Sequence, residues 1–447
     1  MIHTDRIKVL KEVESAKGEY VLYWMQASQR VEYNHALEYA IQQANSMDKP
    51  LLTVFCVVDE FPDANASHYR FMLEGLRDVK KTLEQDGVHF EVLCGQPIQL
   101  IPELCEDASL LVIDRDYLRM QRKWRETVVA AVNRTVVQIE SNAIVPIEIV
   151  SKKEEYSAGT IRPKILRVLN DFMVPPRPRK IKRPCPDFGL PGLDLTNISD
   201  AMKFLRIKNS SEQQVKFKGG TQEAKKELRN FIHTKLDRFE DLRNDPSQDY
   251  LSNMSPYLHF GNISPLFIAL QIQGTGSPGA DAYLEELIVR RELSLNFVYF
   301  NENYDNPECL PNWAKETLEL HSFDPREYSY SFNELEQANT HDPYWNAAQT
   351  EMSRYGKMHG YMRMYWGKKI LEWTESPSLA FETALRLNNM YELDGRDPNG
   401  FTGIAWCFGK HDRAWSERPV FGKVRYMNDK GLRRKFNIQS YVDSILQ

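Results

Sequence analysis

The sequence predicts an α/β domain built on a doubly wound parallel sheet, then a long connector and a mostly α-helical domain. Up to about residue 149, short apolar runs alternate with amphipathic stretches of helical length, which is typical of a parallel sheet covered by helices on both faces. Beyond residue 221, stretches of helical length follow one another with almost no strand-like alternation. We place the domains at residues 1–150 and 221–447, with the connector at 151–220.

In the first domain, predicted strands and helices alternate along the chain. We expect strands at residues 20–24, 51–58, 90–93, 110–113 and 135–139, and helices at 34–45, 68–85, 98–105 and 124–132. No Gly-x-Gly-x-x-Gly motif follows the first strand, so this domain lacks the fingerprint of a Rossmann-type FAD or NAD site.

The connector is marked by its prolines. Six of them lie between residues 175 and 191 and exclude regular helices over much of the span 151–218. In the second domain we expect helices at residues 222–243, 265–271, 280–299, 343–356, 361–373, 378–388 and 440–446.

Length and composition bound the function. A chain of 447 residues is too long for one ordinary core, and no apolar run approaches the roughly 20 residues of a membrane helix. The first residues lack the apolar core of a signal peptide, so we expect a cytoplasmic protein, associated with the nucleoid in a prokaryote or nuclear in a eukaryote. Six scattered cysteines without a Cys-x-x-Cys pair indicate reduced thiols and no structural metal. The net charge of -5 requires that any nucleic-acid contact come from a local basic face.

The most specific motifs lie near the C-terminus. They are GKMHGYMRM at residues 356–364, YELDGRDPNG at 391–400, WCFGKHDRAW at 406–415, ERP at 417–419 and FGKVRYM at 421–427. Together with LSNMSPYLHFG at 251–261 and EELIVRREL at 285–293, they resemble the class II cyclobutane pyrimidine dimer photolyases of the photolyase/cryptochrome family. The first domain matches more loosely, through VLYWM at 21–25, SQR at 28–30 and NHAL at 34–37.

This resemblance implies a light-driven lyase. Excited, fully reduced FAD in the helical domain would pass an electron to a pyrimidine dimer flipped out of ultraviolet-damaged DNA, and the electron would return after the ring splits. A second, antenna chromophore of unknown identity is an option in the first domain. We expect a monomer without a membrane segment.

Several residue types fit FAD, although each has an ordinary structural interpretation alone. Ser252, Asn253 and Ser255 precede Pro256, and a capping Ser before Pro predicts a helix N-terminus whose amides can hold a diphosphate; in isolation a plain helix cap is the better interpretation. Arg363 and Asp394 alone would be an ordinary surface pair. The resemblance places them beside the flavin ring as an ion pair, with Asn388, in the loop at 387–389, near flavin N5. It implies FAD contacts from Leu251, Ser252, Asn253, Met254, Ser255, His359, Arg363, Asn388, Asp394, Asp397 and Asn399.

Three tryptophans are candidates for electron transfer. Trp366 and Trp373 are seven residues apart, which puts them on one helix face with a rise of about 10 Å. Aromatic residues at this spacing are more often core packing. The resemblance adds Trp345 and implies a chain from the flavin through Trp366 and Trp345 to Trp373, used to photoreduce oxidised FAD.

Glu286 is the candidate lesion-binding acid. By itself it predicts a solvated helix face paired with Arg290 four residues on. The resemblance implies that Glu286 bonds the carbonyl edge of the lesion, as a carboxylic acid whose pKa a partly dry cavity raises, and that Trp406 stacks on the flipped bases. The implied catalytic residues are Glu286, Asn388, Arg363 and Asp394. The implied DNA and lesion contacts are Arg243, Asn244, Glu286, Arg290, Trp406, Asp412, Arg413, Lys423 and Arg425.

Two other functions are compatible with parts of the sequence. One is a cryptochrome-like blue-light receptor without repair activity, against which Glu286 and Trp406 argue. The other, which sets the resemblance aside, is an α/β nucleotide-binding protein with a helical lobe and no flavin.

Overall fold

The first domain is built on one six-stranded sheet. The computed structural model describes residues 2–14, 17–205, 207 and 213–446. The sheet has the strand order β1-β6-β5-β2-β3-β4, and β1 alone runs antiparallel to its neighbour. The strands are β1 (Ile7–Lys11), β2 (Tyr20–Met25), β3 (Leu51–Val57), β4 (His89–Cys94), β5 (Ala108–Asp114) and β6 (Val136–Ile139).

The predicted parallel strands are confirmed, and β1 is an addition. Every residue of β2, β3, β5 and β6 is buried, as expected for strands covered on both faces. The edge strand β1 has no fully buried residue, so its sequence carries no apolar run to reveal it. The helices of this domain are α1 (His35–Met47), α2 (Ala66–Gln85), α3 (Pro97–Cys105), α4 (Arg119–Ala131) and α5 (Ile147–Val150).

The order in which strands are added to the sheet reverses at β2. From β2 it proceeds through β3 to β4 on one side, whereas β5 and β6 lie on the other side of β2. In open α/β sheets, ligands bind at such a switch point, outside the carboxyl ends of the strands. The fold therefore predicts a ligand site at the residues that follow β2 and β5.

The connector contains more helix than predicted. Helix α6 (Ala158–Phe172) precedes the prolines and α7 (Ile198–Phe204) follows them, so the expectation of an irregular span is wrong at both ends. It holds for 173–197, where the prolines are concentrated. Helix α6 begins with a capping box from Ser157 to Thr160, a local signal that we did not use. The boundaries at 150 and 220 stay a prediction.

The second domain is helical, as predicted. No strand occurs after Ile139 in the described part of the chain. A π-helical segment, Glu285–Arg290, joins α12 to α13. The helices are α8 (Thr221–Thr234), α9 (Phe239–Leu242), α10 (Ser255–His259), α11 (Pro265–Gln273), α12 (Ala280–Leu284), α13 (Arg291–Phe300), α14 (Asn312–Leu320), α15 (Phe332–Glu336), α16 (Pro343–Tyr355), α17 (Gly360–Trp373), α18 (Pro377–Tyr391), α19 (Pro398–Cys407), α20 (Asp429–Lys435) and α21 (Ile438–Leu446).

Buried polar contacts join the two domains. The Arg30 guanidinium donates to the carbonyl oxygens of Ser141 and Gly261, each at 3.0 Å. Gly261 has φ +70°, and a Cβ there would lie 1.9 Å from the Ala27 oxygen, so only glycine permits this approach. From the helical side, Glu292 accepts the backbone N–H of Ile144 at 2.6 Å. No described helix combines the length and apolar character needed to cross a bilayer.

Candidate functional site

One buried guanidinium and two carboxyl groups form the centre of the helical domain's site. Arg363 projects from α17, and its Nη2 lies 3.4 Å from Asp394 Oδ1, so the predicted contact is present. The same nitrogen lies 3.0 Å from Glu392 Oε2. Sequence reasoning missed Glu392, whose side chain is fully buried. The sequence signal that could have identified Glu392 is its position two residues before Asp394 in the YELDG motif.

The two carboxyl groups differ in charge. Burial raises the pKa of Glu392 to about 8, only partly offset by Arg363, so this carboxyl holds a proton at neutral pH. Burial acts in the same direction on Asp394, but Arg363 and Lys357 together bring the pKa of Asp394 well below its ordinary value. Arg363 therefore faces one anion and one neutral acid, although Glu392 is the nearer of the two. Lys357, whose Nζ donates to Ser255 Oγ at 2.8 Å, adds a second positive charge to the group, and Asp397 acts on Arg363 as a second negative one.

Several buried polar atoms around this centre have no partner within the described protein. They are His359 Nε2, Arg363 Nε and Asn388 Oδ1. His359 Nδ1 accepts the backbone N–H of Tyr361 at 3.2 Å, which leaves the ring hydrogen on Nε2 as a donor. Burial, and secondarily Lys357, lowers the pKa of His359 to about 4, so the ring is neutral. Unpartnered buried donors and acceptors destabilise a protein, and their concentration here indicates a site for a polar ligand.

The sequence predicted a loop at residues 387–389, but Asn388 lies in the last turn of α18. The helix ends at Tyr391, three residues beyond its predicted end at residue 388. A Cβ at Gly400 would lie 3.1 Å from Asn388 Nδ2. The absence of a side chain at Gly400 therefore leaves room beside the Asn388 amide.

The segment 251–255 differs from its prediction. Ser255 is the first residue of α10, and the cap position belongs to Met254, which makes no side-chain cap bond; the expectation of a capping serine is wrong. The reason is tertiary, because the Ser255 hydroxyl bonds Lys357 and Asp394 instead. Asn253 has φ +57°, a left-handed turn that Asn tolerates.

Asp397 and Asn399 shape the start of α19. Asp397 Oδ1 accepts the backbone N–H of Asn399 at 2.8 Å and so caps the helix. Its Oδ2 lies 3.2 Å from His259 Nδ1. Asn399 itself is exposed. Both residues thus have structural roles in the protein alone.

Glu286 pairs with Arg243 and not with Arg290. The distance from Glu286 Oε1 to Arg243 Nη1 is 2.6 Å, whereas Arg290 Nε lies 3.4 Å from Glu285. A π-helical turn places residues five apart on one face, which is the spacing of Glu285 and Arg290 in this segment. The Glu286 side chain is 39% exposed, so the dry cavity expected around it is not provided by the protein alone.

The other predicted DNA contacts lie on α19 and the segment after it. Trp406 is half-buried and lines a small cleft with Lys368 and Asp412. The guanidinium groups of Arg413 and Arg425 lie 5.2 and 5.1 Å from the ring centre of Trp415, a 41% exposed indole that we did not select from the sequence. Asn244 and Lys423 are exposed.

The three tryptophans form a buried chain of contacts in the predicted order. The ring centres of Trp366 and Trp345 are 6.4 Å apart and nearly parallel. Those of Trp345 and Trp373 are 5.6 Å apart, and all three side chains are buried. Trp345 comes from α16 and lies between the two indoles of α17. Its ring therefore fills the gap of about two helical turns that separates Trp366 from Trp373.

A second candidate site lies at the switch point of the sheet. A cavity of 150 Å³ is lined by residues that follow β2 and β3, together with Asp116, Gln121, His259 and Arg396. Gln26 Nε2, Gln29 Oε1 and Gln121 Oε1 border it and have no partner among the described residues. None of the predicted site residues lines this cavity, because its lining is contributed by segments as far apart in the chain as Trp24 and Arg396.

Comparisons with known proteins agree on one family. A family model described as DNA photolyase matches residues 21–184. A protein of Methanothermobacter thermautotrophicus named deoxyribodipyrimidine photo-lyase is 55% identical over 446 residues, covering 100% of this chain and 99% of its own. One of the same name from Arabidopsis thaliana is 38% identical, covering 99% and 93%. The crystal structure of an archaeal photolyase from Sulfolobus tokodaii with two FAD molecules has a TM-score of 0.73 and 15% identity, covering 96% of this chain and 90% of that one.

Proposed function

This chain belongs to the DNA photolyase family, and from that premise we propose that it is a deoxyribodipyrimidine photo-lyase that repairs cyclobutane pyrimidine dimers in DNA with light and reduced FAD. The structural observation that carries the proposal is the group around Arg363, with its two carboxyl partners and its unpartnered polar atoms. The assignment to class II is part of the proposal and depends on the C-terminal motifs.

The residues around Arg363 fit a flavin. An isoalloxazine ring offers both hydrogen-bond donors and acceptors, which matches the donors on His359 and Arg363 and the acceptor on Asn388. Ser252, Asn253 and Ser255 would hold the phosphate end, where Lys357 supplies a positive charge. Bound and reduced, FAD supplies the electron on absorbing blue or near-ultraviolet light, and the protein supplies binding and electrostatics.

The charges of the site favour a reduced, anionic cofactor. Arg363 is held by ionised Asp394, whereas Glu392 stays neutral, so only one of the two carboxyl groups that contact the guanidinium adds negative charge there. A guanidinium that is fixed in place stabilises charge without reorganisation. If Glu392 were ionised as well, this balance would be lost.

Glu286 and Arg243 would meet the lesion. Their ion pair is half-exposed, so an incoming pyrimidine dimer can break it and take Glu286 as a hydrogen-bond partner. Trp406 offers a stacking surface, worth about 1–3 kcal/mol per base in single-strand binding. A dimer is poorly stacked in its duplex and is therefore easier to flip out than normal bases. Arg290, Arg413, Lys423 and Arg425 would hold phosphates, which positions the DNA without specifying its sequence.

We propose that the cavity at the sheet's switch point holds a second, light-harvesting chromophore. Its largely apolar lining carries three unpartnered glutamine atoms and the Arg396 guanidinium, which suits a planar molecule with polar edges. The three tryptophans would conduct electrons to oxidised FAD from Trp373 inward. We further propose a monomer that acts wherever the cell's DNA lies.

Repair by the purified protein tests the function. We expect the protein to bind FAD and, after chemical reduction, to restore thymines in a dimer-containing oligonucleotide under blue light. Arg363→Gln should lose FAD affinity and repair together, whereas Arg354→Gln, a change at an exposed arginine on α16, should not. Flavin binding without restored thymines would instead support a cryptochrome-like receptor, and a protein that binds no flavin would refute both.

A further inference from the structure

Aromatic contact continues beyond Trp373. The ring centres of Tyr330 and His341 lie 5.4 and 5.3 Å from that of Trp373. The backbone N–H of Tyr330 also donates to the Trp373 carbonyl oxygen at 3.4 Å. The buried row of indoles is therefore joined, by backbone and by rings, to a segment near the surface.

Tyr330 and His341 share a short hydrogen bond. The Tyr330 hydroxyl oxygen lies 2.6 Å from His341 Nδ1, and it also accepts the backbone N–H of His341 at 3.0 Å. We assign the phenol proton to the bond with Nδ1 and the ring hydrogen of His341 to Nε2, because the phenol oxygen already accepts the backbone N–H. A phenol is thus held within proton-transfer distance of an imidazole base.

The indoles further inside have no comparable base. Trp345 Nε1 donates to the Trp366 carbonyl oxygen at 3.0 Å, and Trp366 Nε1 donates to the Gln349 amide oxygen at 2.8 Å. Both oxygens accept hydrogen bonds but are far too weak as bases to take a proton at neutral pH. An indole that loses an electron at either position therefore keeps its proton, and the electron can return freely.

The far end of this row opens to solvent. The ring of His341 stacks on Tyr328 with centres 3.6 Å apart, and Tyr328 is 39% exposed. Tyr328, His341 and Trp373 line a surface cavity of 630 Å³. A proton received by His341 is thus next to water, and small molecules can reach His341 through this cavity.

We propose that Tyr330 is the terminal electron donor of the aromatic chain and that His341 takes its proton. One electron passes from Tyr330 to the Trp373 radical cation, the phenol O–H bond breaks, and the proton forms an N–H bond at His341 Nδ1. The products are neutral Trp373, a neutral phenoxyl radical and an imidazolium. A thiolate that enters the cavity then gives one electron to Tyr330 and becomes a thiyl radical, while His341 returns the proton.

The physical consequence is directional transfer. Reduction of the phenoxyl radical by Trp373 requires the proton to return from His341 to the phenol oxygen. The electron hole is therefore trapped on Tyr330, near the surface. The inference rests on the proposed function in one respect: light must remove an electron from the row of tryptophans. Its test therefore includes an arm without flavin.

The test compares radicals in four proteins: the natural protein and the variants Tyr330→Phe, Tyr328→Phe and His341→Gln. The FAD-loaded, oxidised protein is illuminated, frozen and measured by high-field electron paramagnetic resonance, and the flavin-free protein is oxidised with azide radicals and measured in the same way. We expect a neutral tyrosyl radical hydrogen-bonded to an imidazolium in the natural protein, and its loss in Tyr330→Phe. The matched control Tyr328→Phe, which changes the exposed tyrosine of the same cavity, should keep the signal. His341→Gln should also lose it, because glutamine cannot accept the proton.

The outcomes separate this inference from the function itself. Tryptophan radicals without a tyrosyl radical in the natural protein, or a tyrosyl radical that persists in Tyr330→Phe, would overturn the role of Tyr330. A tyrosyl radical in His341→Gln with an unchanged spectrum would overturn the role of His341. Dimer repair is measured separately in Tyr328→Phe and the natural protein, and its absence in both would count against the proposed function alone.

Discussion

Asp394→Asn should destabilise the protein less than the loss of a buried ion pair normally does, because Glu392 can replace the missing charge. Arg363 Nη2 lies within 3.4 Å of both carboxyl groups, and only Asp394 is ionised at neutral pH. Without Asp394, Glu392 has lost its anionic neighbour and can release its own proton. The buried guanidinium then still has a counter-ion.

The structure sets the size of the effect. Removing one partner of a buried ion pair costs about 3–5 kcal/mol. Ionising Glu392 at pH 7 costs at most roughly 1 kcal/mol, because its pKa is about 8 in the natural protein and loss of the Asp394 anion lowers it. We therefore expect Asp394→Asn to lower the free energy of unfolding by about 1–2 kcal/mol. Glu392→Gln should not lower the free energy of unfolding at pH 7, because glutamine is neutral without the proton uptake that Glu392 needs on folding. The double variant should cost about 3–5 kcal/mol.

The assay is urea unfolding of the flavin-free protein at pH 7, followed by tryptophan fluorescence and treated as a double-mutant cycle. Asp305→Asn, which breaks the surface pair with Arg119, is the control and should cost at most about 1 kcal/mol. If Asp394→Asn alone were as destabilising as the double variant, Glu392 would not act as a reserve counter-ion, and the assignment of its proton would be wrong.

Four further outcomes are expected. Burial raises the Glu392 pKa from 4.5 to about 8, so its contribution to stability should decline as pH rises through that window, and Glu392→Gln should flatten this slope in unfolding curves measured across it. Gly261→Ala should lower stability by about 3 kcal/mol or more through strain and the clash with Ala27, against about 1–2 kcal/mol for Gly276→Ala, which has the same sign of φ and open space; equal losses would remove the steric argument. Trp366→Phe should stop photoreduction of bound FAD, followed by its absorption, whereas Trp313→Phe, outside the chain, should not; normal photoreduction in Trp366→Phe would disprove the order of the chain. DNA affinity should fall steeply with salt as counterions are released, and titrations that show no such dependence would contradict a basic docking face.

Much of the fold was predictable because apolar periodicity reports burial directly. The fully buried strands β2, β3, β5 and β6 each appear as an apolar run, and α2 and α17 as helical stretches. Elements whose stability comes from distant partners were not visible. Strand β1 depends on pairing with β6, whose residues lie between 125 (Lys11 with Val136) and 132 (Ile7 with Ile139) positions further along the chain, and its own residues are not apolar enough to indicate this.

The site shows the same division. Motifs placed Arg363, Asp394 and the three tryptophans in one region, and the structure brings Arg363 into contact with Asp394 and the indoles into contact with one another. The motif also contains Glu392, but nothing in the letters distinguishes a carboxyl that holds a proton from one that does not. Glu392 holds its proton because it is completely buried beside the ionised Asp394, and burial is a property of packing.

The amino-acid sequence by itself determined the order of the elements, the family motifs and the identity of the groups that can carry charge or electrons, because these depend on local pattern and residue type. Tertiary structure alone decided which groups meet: Glu286 with Arg243, Trp345 between the two indoles of α17, and Tyr330 with His341. Proton affinity and electron transfer both vary steeply with distance and burial, and those quantities exist only once remote segments of the chain have packed together.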